Sequence, residues 1–263
     1  MLLNFDKSKS IILVDSSYYV FYRYFATLRW FIFQKKEINV NEITTNEEYV
    51  ASFIKHMNAD INKICKKWNT VKTNIVFCCD CQRCNIWRND IFPEYKGNRV
   101  TNDNFNSSIF NVFYDNLEKL DLKKVQYDRL EADDVVYLLQ NKLKIDYNIV
   151  IISNDNDYLQ LSDINVDIYN MQFKDITTRG QNNPKIDLYY KVIYGDKSDN
   201  ITKILNTITK DKALEISKWD EKDIKKWVKK EGCLDKFNLN LNLVSFEKIP
   251  TDIKETFYKT VSI

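Results

Sequence analysis

Histidine and glycine are scarce in this chain of 263 residues: there is one histidine, His56, and four glycines, Gly97, Gly180, Gly195 and Gly232. A Ser-His-Asp or Cys-His nucleophile system would have to be built on His56, and nothing near it in the sequence suggests one. No glycine falls in a G-x-x-x-x-G-K or G-x-G-x-x-G spacing, so no loop is built to cradle nucleotide phosphates. That sets aside ATPase, kinase and dinucleotide-binding functions. No apolar run reaches the ~18 residues needed to span a bilayer. The first seven residues lack a signal peptide's apolar segment. These absences predict an intracellular protein, cytoplasmic or nuclear, with no membrane partner. The six cysteines read as reduced thiols rather than a disulfide framework in a chain this long. Cys81-x-x-Cys84 has the spacing of half a zinc site, but no second pair and no H-x-x-x-H follows. An excess of one charge is also lacking, with 39 Lys+Arg against 37 Asp+Glu. A neutral total still permits an acidic site beside a basic rim, so nucleic acid stays among the partners.

What is present is apolar and aromatic: 44% hydrophobic residues, with 16 Tyr and 15 Phe. That composition supports a core and argues against disorder. Three apolar runs read as buried strands, and each ends in acid. Ser10–Val14 leads to Asp15. Thr73–Cys79 leads to Asp80. Asn148–Ser153 leads to Asp155 and Asp157. Between them lie helical patterns over Ser16–Trp30, Asn111–Leu122 and, most clearly, Glu47–Trp68, where Val50, Phe53, Ile54, Met57, Ile61 and Ile64 recur at three and four. His56 falls off that stripe and reads as a surface residue. A further strand is expected at Asn165–Asn170 and an edge hairpin at Phe173–Thr178. From Ile201 onward the chain reads as helical and lysine-rich. Alternating strands and helices predict an α/β fold with a mostly parallel central sheet flanked by helices. In such sheets sites form outside the carboxyl ends of the strands.

The stretch Arg129–Val136 adds Glu131, Asp133 and Asp134 at the start of a predicted helix. Gly195–Asn200 adds Asp196 and Asp199. Acids in a first helical turn also arise simply to complement the helix dipole. The number of acids arriving at one edge decides against that alone. Two carboxylates about 4 Å apart repel by ~4 kcal/mol at an effective dielectric of 20, and a whole domain is stable by only ~5–15 kcal/mol. Few bases sit at those strand ends in the sequence, so divalent cations are expected to resolve the repulsion. An all-oxygen donor set selects Mg²⁺ or Mn²⁺ over zinc. Two such ions about 3.5–4 Å apart suit displacement at phosphorus. The segment Trp87–Arg99 mixes bases with aromatic rings, a composition suited to phosphate contact with stacking.

These segments, in this order, resemble the 5′ nuclease superfamily, the flap endonucleases and 5′–3′ exonucleases of phages and of bacterial DNA polymerase I. The matching stretches are Ile12–Asp15, Phe77–Asp80, Trp87-Arg88 with Pro93–Arg99, Glu131–Asp134, Ser153–Leu161 and Gly195–Ile201. The resemblance implies a Mg²⁺-dependent structure-specific nuclease hydrolysing DNA in replication, repair or recombination, on flap, nicked or branched substrates with a free 5′ end. It implies a PIN-like catalytic domain over residues 1–200 with a short helical arch around 81–115, and a small helical DNA-binding region over 201–263. Asp15, Asp80, Glu131 and Asp133 would hold one metal, and Asp155 would lie between two. Asp157, Asp196 and Asp199 would serve the second, with Asp134 in support. Lys96 would touch the scissile phosphate, assisted by Arg88. Phe21 would stack on a terminal base. Tyr95, Arg99, Lys210 and Lys212 would contact DNA. Relatives commonly carry a glycine-rich helix–hairpin–helix around a potassium ion after the last acids. Here Asn200–Ala213 has lost those glycines and carries one extra residue, so the potassium site and duplex grip are the weakest parts of the likeness. The chain shows no sliding-clamp motif and is expected to be a monomer, acting in a cell or at a viral replication site. Two other readings stand beside this one: a non-catalytic DNA-junction binder of the same fold, and a PIN-type ribonuclease.

Overall fold

The computed structural model describes residues 2–100 and 102–262. One sheet holds β1 (Ile11–Asp15), β2 (Ile75–Cys79), β3 (Lys123–Gln126), β4 (Ile149–Ile152) and β5 (Val166–Tyr169). All four pairings are parallel, in the order β3-β2-β1-β4-β5. The α/β class expected from the sequence is the one observed. Strands β1, β2 and β4 are apolar at consecutive positions because both faces are covered. Successive residues serve opposite layers. Ile11, Leu13, Val76, Cys78, Ile149 and Ile151 pack with α4 (Ala132–Leu143). Ile12, Val14, Phe77, Val150 and Ile152 pack with α1 (Ser16–Phe33), α2 (Glu47–Lys67) and α3 (Ile109–Lys119).

Local chemistry sets where these helices start and stop. The Asp15 carboxylate accepts the Tyr18 N–H at 3.0 Å and caps α1, and the Asn46 amide oxygen accepts the Tyr49 N–H at 2.9 Å and caps α2. Glu47 and Glu48 in the first turn of α2, with Lys66 and Lys67 in its last, complement the helix dipole. Asn183 and Pro184 open α5 (Pro184–Tyr194), and Gly195 closes it at φ 78°.

Three expectations change. Strand β3 has no apolar run to mark it in the sequence, because Lys-Lys-Val-Gln at a sheet edge buries only Val125 deeply. The hairpin at Phe173–Thr178 is instead a tight turn with one antiparallel bridge, Tyr169 to Asp175, and Phe173 at φ 58°. Of the stretch 81–115 expected as a short helical arch, residues 81–100 and 102–108 form short 3-10 turns and loops, and regular helix begins with α3 at Ile109.

The C-terminal helices are α6 (Lys210–Ser217), α7 (Glu221–Lys230), α8 (Leu234–Val244) and α9 (Thr251–Thr260). Helices α5 to α8 share a core of Val192, Ile193, Ile216, Ile224, Val228 and Phe237, joined by Ile86 and Tyr95. Phe246, Ile249, Ile253 and Phe257 join the sheet core beside α4. Packing therefore runs across the boundary expected at residue 200. The order of strands reverses between β1 and β4, which opens a crevice at their carboxyl ends.

Candidate metal centre

A cavity of about 630 Å³ lies at that edge, lined by Asp15, Asp80, Glu131, Asp133 and Asp155 together with Phe21, Lys96 and Arg99. Each acid arrives by a different local route. Asp15 ends β1. Its second oxygen accepts from Ser153 Oγ at 3.2 Å and from the Tyr158 hydroxyl at 3.1 Å. Asp80 follows β2 and accepts the Ala132 N–H at 2.8 Å, so the start of α4 steers it. Ser17 Oγ donates to its other oxygen. Asp155 follows β4 and accepts the Asp157 N–H at 2.9 Å. Burial and the neighbouring Asp80 push the Asp15 carboxyl up to about 7. Burial and adjacent acids also raise Asp133 and Asp155. Burial acts the same way on Glu131, but Lys96 and Arg88 outweigh it and hold that carboxyl below its ordinary value.

The segment 87–99 is where the structure departs most from expectation. Arg88 is 2% exposed and Trp87 1%. Arg88 forks onto Asp134, with Nη1 at 2.7 Å and Nη2 at 2.8 Å, and reaches Glu131 at 3.0 Å and the Leu243 carbonyl at 2.8 Å. Trp87 Nε1 donates to Asp134 at 3.0 Å. Asp134 is fully buried and has both oxygens engaged. Arg88, expected to assist at the phosphate, is therefore buried beneath the site and paired with Asp134, and oxygens of Glu131, Asp133 and Asp134 lie within 4.8 Å of one another. Tyr95, also buried, donates to Glu131 at 3.1 Å and presents no face to a base. Among the bases of this segment, Lys96 and Arg99 reach the cavity. Lys96 Nζ lies 2.5 Å from Glu131, and Arg99 Nη2 2.8 Å from Asp199.

The remaining acids form a second group. Oxygens of Asp157, Asp196 and Asp199 lie within 4.8 Å of one another. Gly195 permits the reversal that places the latter two, because a Cβ there would meet the Ile201 carbonyl oxygen at 2.4 Å. An adjoining cavity of about 510 Å³ is lined by Asp155, Asp157, Asp196 and Lys210. Lys191, absent from the sequence-based site, belongs here: its Nζ pairs with Asp157 and lies 2.7 Å from Asp196. Burial pushes the Asp196 carboxyl up, but Lys191 outweighs it and holds the pKa at about 2. A lysine in the last turn of a helix closed by Gly195, just before Asp196, was the signal available.

The other expected DNA contacts are dispersed. Phe21 borders the first cavity, but Phe105 stacks on it at 4.1 Å between centroids. Lys210 edges the second cavity, whereas Lys212 pairs with Glu215 at 2.8 Å. In the altered hairpin, Lys203 Nζ donates to the Ile208 carbonyl at 3.0 Å and lies 4.2 Å from the Tyr194 ring centroid. An ammonium of the chain thus already engages a backbone carbonyl of that loop. Cys81 borders the first cavity, and among the described residues no cysteine joins a group that could hold a metal ion; burial pushes its thiol up to about 12.

Nine carboxylates gather here; among the described residues four cations, Arg88, Lys96, Arg99 and Lys191, form ion pairs with them, and Arg83, Arg179 and Lys210 border the cavities. More bases reach the acids than their sequence neighbourhood suggested, yet negative charge remains in excess. The donors facing the cavities are hard oxygens, and burial, with Asp80 beside it, holds the Asp15 carboxyl above its ordinary value. That set fits divalent cations of the magnesium or manganese type. Among the described residues no helix is long and apolar enough to cross a membrane.

Known proteins resemble the chain in both sequence and fold. The 5′-3′ exonuclease of Buchnera aphidicola (Schizaphis graminum) is 33% identical over 205 residues, covering 75% of this chain and 66% of that protein. The 5′-3′ exonuclease of Mycoplasmopsis pulmonis is 28% identical over 203 residues, covering 74% and 62%. The chain therefore spans about two thirds of the length of these curated relatives. The flap endonuclease of bacteriophage T5, in a complex with DNA and metal ions, shares the fold at a TM-score of 0.64 and 17% identity, over 96% of this chain and 97% of the other. The family described as "5'-3' exonuclease, N-terminal resolvase-like domain" matches residues 10–187, more than half of the sequence and every strand of the sheet, and the chain belongs to that family.

Proposed function

We propose that this protein is a divalent-metal-dependent nuclease that hydrolyses DNA phosphodiester bonds near a free 5′ end, on flap, nicked or branched substrates, leaving 5′-phosphate and 3′-hydroxyl ends. One observation carries the reading. Acids from β1, β2, α4 and the turn after β4 converge on one open cavity at the switch point of the sheet, in a chain of this family. Asp15, Asp80, Glu131, Asp133 and Asp155 would hold one Mg²⁺ or Mn²⁺ ion, and Asp157, Asp196 and Asp199 a second. Such ions, when bound, neutralise phosphate charge and activate water.

The chain's own residues orient and bind. Ser153, Tyr158 and the Ala132 N–H fix the carboxylate oxygens of Asp15 and Asp80 before any ligand arrives. Lys96, only 12% exposed at its side chain, offers an ammonium at the cavity wall where negative charge builds during displacement. Arg99 stands at the rim, its side chain 48% exposed, and suits backbone phosphate. Arg88 and Asp134 hold the start of α4 and act only through Glu131.

The test is cleavage of a 5′-labelled DNA flap with Mg²⁺ and with EDTA, beside an RNA flap of the same design. Cutting of the DNA flap that requires Mg²⁺ and fails in Asp80→Asn supports the proposal. Binding without cutting would mark a junction binder, and preferred cutting of the RNA flap a ribonuclease; either overturns it.

A further inference from the structure

The two acid clusters differ in how they are neutralised. In the first, Lys96 engages Glu131 alone at short range, while Asp15, Asp80 and Asp155 have no lysine or arginine ion pair among the described residues. In the second, Lys191 Nζ sits among the carboxylates, paired with Asp157 and 2.7 Å from Asp196. Its side chain is 16% exposed, and those of Asp157 and Asp196 are 17% and 22%. From the rim, Arg99 pairs with the third acid, Asp199, at 2.8 Å, and Lys210 and Arg179 border the cavity, but Lys191 is the ammonium that bridges Asp157 and Asp196. A Mg²⁺-like ion takes its oxygens at about 2.0–2.1 Å. An ammonium donating to the same oxygens at 2.7 Å claims nearly the same point. Two cations cannot share it. Lysine, unlike arginine, is a compact charge on a flexible stem and can swing away from its partners.

We infer that Lys191 is a tethered counter-ion of the second acid cluster, and that a divalent ion binds there only by displacing it. The inference rests on the metal-site reading above. It makes the two ion sites unequal. The first binds without competition. The second is weakened by a resident cation, and filling it frees an ammonium beside the groove between the two clusters. Lys191 is then a competitor of the second ion, and it stabilises the fold while that ion is absent.

The test is calorimetric titration of the metal-free full chain with Mn²⁺, comparing wild type with Lys191→Met. The expected wild type binds one ion tightly and another at least tenfold more weakly. In Lys191→Met the weak site tightens at least tenfold, and the strong one changes by less than about twofold. Two equally tight sites in the wild type, or a weak site unmoved by the substitution, overturns the inference and leaves the metal reading intact. No Mn²⁺ uptake by the wild type sinks the metal reading itself. A wild-type measurement covers the case in which the variant fails to fold. Reductive methylation read by mass spectrometry should find Lys191 protected in EDTA and modified at least fivefold faster once Mn²⁺ saturates both sites. An unchanged rate refutes displacement.

Discussion

Removing the Arg88 guanidinium is the sharpest perturbation of the core beneath the site. Arg88→Met keeps most of the stem's volume and deletes the head that binds both oxygens of Asp134, one of Glu131 and the Leu243 carbonyl. Asp134, at 0% exposure, would keep only the Trp87 N–H and its own helix-start contact with the Glu131 N–H. Breaking a buried pair from one side costs about 3–5 kcal/mol, because the remaining charge is buried without compensation. For a chain of 263 residues, an unfolding entropy of about 2.1 cal/mol/K per residue gives roughly 0.55 kcal/mol/K. The expected fall in melting temperature is thus about 6–9 °C. Urea and thermal melts in EDTA measure it without help from bound ions. Adding Asp134→Leu should recover at least ~2 kcal/mol, since removing both partners lifts the desolvation cost. A loss below ~1 kcal/mol with additive substitutions would refute the buried-pair account. Weakened DNA binding at unchanged stability in Arg88→Lys would restore Arg88 as a phosphate contact.

Three further outcomes follow from the geometry. Asp15 titrates near 7 when folded against 3.8 as an ordinary carboxyl. The folded state therefore holds its proton more tightly, and stability in EDTA should fall as pH rises through that interval and then level, with Mg²⁺ offsetting the fall. Thermal midpoints that rise across the same interval in EDTA would count against it. Gly195→Ala forces a side chain into φ 78° and against the Ile201 carbonyl, at a cost of about 1–3 kcal/mol in urea melts, with loss of the weaker Mn²⁺ site. Affinity for a duplex with a 5′ flap should agree within about twofold in KCl and NaCl of equal ionic strength, because Lys203 already engages the hairpin carbonyl; a gain specific to potassium would show that the lysine yields.

The strand ends were legible in advance for a simple reason. A parallel strand covered on both faces must be apolar at consecutive positions, so Ile11–Val14 and Ile149–Ile152 stand out in any reading. The acids that follow them mark the carboxyl edge, and the sheet's handed, layered construction brings that edge together. Edge strand β3 was not legible, since one deeply buried valine satisfies it.

The sequence by itself determined the apolar strands that end in acid and the edge at which those ends gather, because spacing along the chain and burial on both faces are local properties. Only the tertiary structure decided which charges meet. Arg88 reads as a phosphate contact within its own segment, yet it lies under α4 beside Asp134, and Lys191, absent from the sequence-based site, places its ammonium between Asp157 and Asp196. Long side chains reach across the fold to carboxylates far away in sequence, and no periodicity along the chain records that reach.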